Sequence, residues 1–93
     1  MGDIDVLTAE RDRIEGELRG FEKQQDALEK NGAELRRKSE AAAGDSDALA
    51  KLKIELDQLA EAKRENDRLI AMATKRLEEI ETLIGMQEQS DMA

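Results

Sequence analysis

Residues 35–56 read LRRKSEAAAGDSDALAKLKIEL, and this stretch decides the fold. Leu35, Ala42, Leu49 and Leu56 recur in it every seven residues, while Gly44-Asp45-Ser46-Asp47 interrupts it. A seven-residue apolar repeat marks helices that bury one seam against another helix. Gly suits the left-handed position just past a helix end, and Asp or Ser suits the next N-cap. The stretch therefore joins two helices at a break inside one continuous line.

The line extends both ways. Leu7, Ile14, Phe21 and Leu28 precede it, and Lys63, Ile70, Leu77 and Ile84 follow, with Lys63 the one residue that is not apolar. A second stripe changes sides at the break. Before it run Ile4, Arg11, Leu18, Gln25, Gly32 and Ser39; after it run Leu52, Leu59, Asn66, Ala73, Ile80 and Gln87. If the chain folds back at residues 45 and 46, facing numbers sum to 91. Leu7 then meets Ile84, Ile14 meets Leu77, Phe21 meets Ile70 and Leu35 meets Leu56. Small meets large where Gly32 faces Leu59 and Leu18 faces Ala73. Gln25 faces Asn66, polar against polar. Each first-type position faces a second-type one, as antiparallel helices require.

The expected architecture is all-α: an antiparallel two-helix coiled-coil hairpin that dimerises into a four-helix bundle. One domain spans 1–93, with helix one at about 3–43, a turn at 44–47, helix two at about 48–87 and a frayed tail at 88–93. Asp3 or Asp5 is expected to open helix one, as a short acid that caps it and complements its dipole. Gly16, Gly20 and Gly32 weaken it by about 1 kcal/mol each against Ala. The rival is one continuous helix of about 80 residues in a parallel dimer, at 1.5 Å per residue a rod far longer than a hairpin. The helix-poor turn and the stripe swap oppose it.

Composition agrees. Charged residues make up 41% of the chain, Pro is absent and Phe21 is the single aromatic, so a long helix is favoured over a compact globular core. The chain holds no Cys, which excludes disulfides, thiolate metal sites and thiol nucleophiles, and no His, the usual general base and zinc ligand. No apolar run approaches the roughly 20 residues that span a bilayer. Met1-Gly2-Asp3-Ile4-Asp5 is acidic, without a signal-peptide core, and Asp3 and Leu7 fit an acylation signal poorly. The expected setting is cytoplasmic, away from membranes.

Net charge is −8. Acids and bases number nine and five in residues 1–30, six and five in 31–60, and eight and five in 61–93. That balance disfavours nucleic-acid phosphates, which need clustered Lys and Arg. It is also too spread out for a continuous mimic of DNA.

No reaction is expected, and no cofactor. Glu78, Glu79 and Glu81 are paired acids, but helical metal sites normally add a Glu-x-x-His pair. Ser39, Ser46 and Ser90 lack an activating base. The informative residues concern contact. Val6, Leu69, Met72, Leu83 and Met86 flank the seam at the open end, where both termini lie, and are the expected partner or oligomer interface. Arg11, Gln25, Lys63 and Asn66 are polar residues on core lines, expected to set register. Arg36, Arg37, Lys38, Lys51 and Lys53 make the turn end basic. Their ordinary role is a solvated surface and favourable charge at a helix C-terminus; their functional role would be contact with an acidic or phosphate-bearing ligand.

Residues 52–84, LKIELDQLAEAKRENDRLIAMATKRLEEIETLI, resemble the last helix of flagellar type III export chaperones of the filament-junction class. The resemblance lies in a long helix with an Asn followed by a Leu/Ile pair and Ala, here Asn66, Leu69, Ile70 and Ala71. It covers a third of the chain, uses residues open to any coiled coil, and finds no match in helix one. It implies a chaperone that holds a client's amphipathic helix. The residues themselves point first to a non-enzymatic interaction module. Its expected role is adaptor, scaffold or regulator (inhibitor) of a larger bacterial or phage assembly, its partner being protein: a second copy, the assembly, or both.

Overall fold

The computed structural model describes residues 2–92, and two helices account for nearly all of them. Helix α1 spans Gly2–Ala41 and helix α2 spans Ser46–Met92. They pack along each other as a hairpin 72 Å long and 15 Å across. The antiparallel all-helical architecture is the expected one. Met1 and Ala93, the outer ends of the acylation signal and of the frayed tail, lie outside the described residues.

Both helix ends at the turn differ from the expected bounds. α1 stops at Ala41 rather than 43, and α2 starts at Ser46 rather than 48. Asp45 is the reason. Its Oδ1 accepts from the Ala48 N–H at 3.2 Å and its carbonyl accepts from the Leu49 N–H at 3.0 Å. Those two bonds make Asp45 the N-cap, ahead of Asp47, which instead complements the helix dipole in the first turn. Gly44 is not left-handed: no described glycine has a positive φ. The chain leaves α1 through tightened bonds instead, with Ala43 N–H donating to Glu40 O and Asp45 N–H to Ala42 O, at 3.3 and 2.9 Å. At the other end α2 continues through Met92, past the expected end at Gln87. No Pro or positive-φ residue stops it there.

The seam follows the sum-to-91 pairing. An added Cβ on Gly32 would stand 3.1 Å from Leu59 Cδ2. Asn66 Nδ2 donates to Gln25 Oε1 at 3.3 Å. Ile14, Ile80 and Ile84 form the tightest cluster, with Ile4, Leu7, Leu18, Ala73 and Leu77 packed around it. Yet the seam is thin. Only Ile14, Leu35, Leu59, Ile80 and Ile84 are buried apolar side chains among the described residues. Phe21, Leu28, Leu56, Ile70 and Leu77 stay half-exposed, and Leu49 is exposed. A helix pair covers each core residue from one side, so much of the apolar line remains reachable by solvent or a partner.

Candidate functional site: one flank of the open end

Two of the expected polar core residues come together. Asn66 is 2% exposed, and its Nδ2 donates to the Phe21 carbonyl at 3.0 Å as well as to Gln25. Its Oδ1 is buried and has no hydrogen-bond partner in the protein. The other two stand apart. Half-buried Arg11 turns along its own helix toward Asp12 and Glu15, at 3.6 and 4.0 Å. Half-buried Lys63 brings its Nζ to 3.5 Å from where a Cβ on Gly32 would stand. Ser39, on the same stripe, returns its hydroxyl to the Leu35 carbonyl at 3.0 Å. That local bond satisfies it without a partner on α2.

The five expected interface residues share one flank of the hairpin. Val6, Met72, Leu83 and Met86 are exposed by 65, 57, 44 and 61%, and Leu69 is half-buried. They line two shallow, partly apolar grooves. One holds Val6, Leu7, Leu83 and Met86 beside Asp3 and Gln87; the other holds Phe21, Leu69 and Met72 beside Glu10, Arg13, Glu17 and Arg76. The charged wall of this second groove is a feature that the sequence reading missed. Arg76 bridges the helices to Glu10 at 3.1 Å and also reaches Glu79 at 3.3 Å. Arg13 joins it from α1, 3.9 Å from Glu10 and 2.7 Å from Glu17. The Arg76 pKa is raised above its ordinary value, mainly by the hydrogen bonds it donates to Glu10 and by the negative charge of that carboxylate. Both arginines, Glu17 and Glu79 are exposed and Glu10 is half-buried, so the pairs add little stability alone. The signal was legible: Glu10 and Arg76 stand one position before core residues on their helices, and such positions pair across an antiparallel seam.

Next along the flank, Arg68 holds Glu65 in a bidentate pair at 2.6 and 3.1 Å, which keeps the Glu65 carboxyl below its ordinary range. Arg68 also donates toward the Met72 sulfur at 3.1 Å. The opposite flank is a different surface. Asp12, Glu22, Asp26 and Glu29 on α1, with Asp67, Glu78, Glu81 and Glu88 on α2, are all exposed there. Uneven charge thus separates a mixed, partly apolar flank from an acidic one.

At the turn end Arg36, Arg37, Lys38, Lys51 and Lys53 are all exposed. Lys38 sits in the last turn of α1 and pairs with Glu34 at 3.7 Å, an ordinary solvated arrangement. Ile54 is exposed by 59% and lies off the seam. Among the described residues, no group of three or more acids is gathered as metal ligands, and no helix is long and apolar enough to cross a membrane.

Fold and surface together define a class: a two-helix coiled-coil hairpin with one apolar-and-charged flank and one acidic flank. No known protein family, curated protein or solved structure matches the chain.

Proposed function

We propose that this protein works by protein–protein contact, as a non-enzymatic adaptor, scaffold or regulator of a larger assembly in a cytoplasmic, bacterial or phage setting. The observation that carries this reading is the flank of Val6, Met72, Leu83 and Met86. Four large apolar side chains stand exposed on one side of a hairpin whose own seam buries only five among the described residues. Ordering a residue costs on the order of 1.5 kcal/mol before compensation, so a two-helix hairpin with so little buried surface gains from further packing. A second copy completing a four-helix bundle is the simplest source of it. The acidic flank would repel nucleic-acid phosphates and anionic lipid. The basic tip is left as a solvated surface.

A chaperone role is the second reading, favoured by Met72 and Met86. Unbranched methionines adapt to varied apolar surfaces, which suits a client helix. Solution mass and partner capture test both readings. The protein would be sedimented alone, then used as bait beside the variants Met72→Asp and Leu83→Asp. An interaction module retains partners, copies or clients, that both variants lose. A wild-type chain that neither self-associates nor retains any partner lost by the variants would overturn the proposal.

A further inference from the structure

The exposed stripe of α2 has a coiled-coil spacing of its own. Leu69, Met72, Arg76, Glu79, Leu83 and Met86 alternate steps of three and four residues, each one position before a core residue. Spacing of this kind keeps a stripe on one neighbour over several turns. The stripe is also its own complement when reversed. About a midpoint between residues 77 and 78, Leu83 falls opposite Met72, Met86 opposite Leu69, and Arg76 opposite Glu79, each pair of numbers totalling 155. Every pair is apolar with apolar or cation with anion. A slip of one heptad destroys the match, since Leu83 would then face Glu79 or Glu65 and Arg76 would face Met86 or Met72.

Helix α1 lies beside the same axis. By the sum-to-91 pairing, an axis between residues 77 and 78 of α2 passes α1 between residues 13 and 14. Reversal there brings Arg13 of the two molecules together between Glu10 and Glu17 of both, so the register is set by α2. The charged patch presents Arg76 and Glu79 from α2 and Arg13, Glu10 and Glu17 from α1, with Leu83 and Met86 to one side of it along α2 and Leu69 and Met72 to the other.

The geometry points to a second copy of this chain docked antiparallel on this flank, related by a two-fold axis beside Leu77. The inference rests on the reading of the flank as an interaction surface and gives it a partner and a register. An isologous contact of this kind closes on itself as a dimer. Only the open halves overlap, so the two turns point in opposite directions. From the axis to each turn is about 32 residues of α2, or about 48 Å at 1.5 Å per residue, which makes a rod about 100 Å long. The basic tips carrying Arg36, Arg37 and Lys38 then stand at its two ends, apart from the dimer contact.

Two variants test the register. Arg76→Glu alone sets acid against Glu79 twice in the dimer, and Glu79→Arg alone sets base against Arg76 twice. Mixing the two restores an opposite-charge pair at both places. Both side chains are about half exposed, so helix content by circular dichroism should stay at the wild-type value. Each variant alone is expected to self-associate at least about tenfold more weakly, and the equimolar mixture to recover wild-type affinity. Within the Arg76→Glu chain the pair with Glu10 stays broken on mixing, and within each chain the Arg76–Glu79 pair does too, so recovery reports contact between copies. X-ray scattering of the wild type should give a maximum dimension near 100 Å, beyond the 72 Å of one hairpin. A dimer indifferent to both variants, a mixture no tighter than its parts, or a dimer no longer than one hairpin overturns this register but leaves the interaction reading standing. A wild-type chain that stays monomeric at millimolar concentration overturns the second copy. Loss of partner capture in the Met72→Asp and Leu83→Asp experiment then decides the broader reading separately.

Discussion

Replacing both Gln25 and Asn66 by Leu should make the protein more stable and less well defined. The buried Asn66 amide has two acceptors for its Nδ2, at 3.0 and 3.3 Å, but nothing for its Oδ1. An unsatisfied buried acceptor costs about 1–3 kcal/mol, and the double change removes it. The hydrogen bonds lost are worth about 0.5–1.5 kcal/mol each, net of water. One of them disappears with both its partners, and the Phe21 carbonyl remains inside α1, where the helix supplies its own donor. Two leucines at half-buried position 25 and buried position 66 add apolar burial worth about 25 cal/mol per Å². The balance is a gain of about 1–3 kcal/mol, with Tm rising by about 4–8 °C per kcal/mol in a domain of this size. Thermal unfolding by circular dichroism would measure it at one fixed protein concentration, because association shifts Tm. The cost should appear in specificity. A slip of three or four residues now sets Gln25 against Lys63 or Ile70; with leucines it becomes tolerable, giving mixed masses or broadened NMR spectra. A double variant that is less stable yet still uniquely folded would refute this account and mark the layer as a holder of a partner's side chain.

Gly20→Ala should stabilise the hairpin by about 1 kcal/mol, because its Cβ meets nothing within 4 Å, whereas Gly32→Ala must displace Leu59 and should fall short of that gain by at least about 1 kcal/mol. Urea unfolding of both variants checks the difference. Asp45→Ala removes the N-cap of α2 and should cost about 1 kcal/mol, read as a lowered urea midpoint at unchanged slope. Met72→Asp and Leu83→Asp should weaken association more than folding; variants that keep wild-type mass and partner affinity would show that this flank is no interface. Spin labels at Arg13 and Glu78 in magnetically dilute molecules should lie within one hairpin's width, and a separation near the length of an extended helix would contradict the antiparallel fold.

The sequence by itself determined the hairpin, its fold point and its register. A period of 3.5 residues places each core side chain on a known line, and reversal at one break leaves a single register in which Gly32 meets Leu59 and Gln25 meets Asn66. It also singled out Val6, Leu69, Met72, Leu83 and Met86, because apolar residues beside a seam break the usual polar flank. Tertiary structure alone decided the rest. Which of Asp45, Ser46 and Asp47 caps α2 depends on which oxygen reaches a free N–H, and all three are short and polar. Which core residues are buried depends on reach across a thin seam: Ile80 is fully covered while Leu49, equally apolar and on a core line, is 37% exposed. The orphaned Oδ1 of Asn66 and the Arg76–Glu10 bridge are likewise matters of side-chain direction. Periodicity fixes where a Cβ sits on the helix surface; it does not fix which atoms beyond that Cβ find a partner.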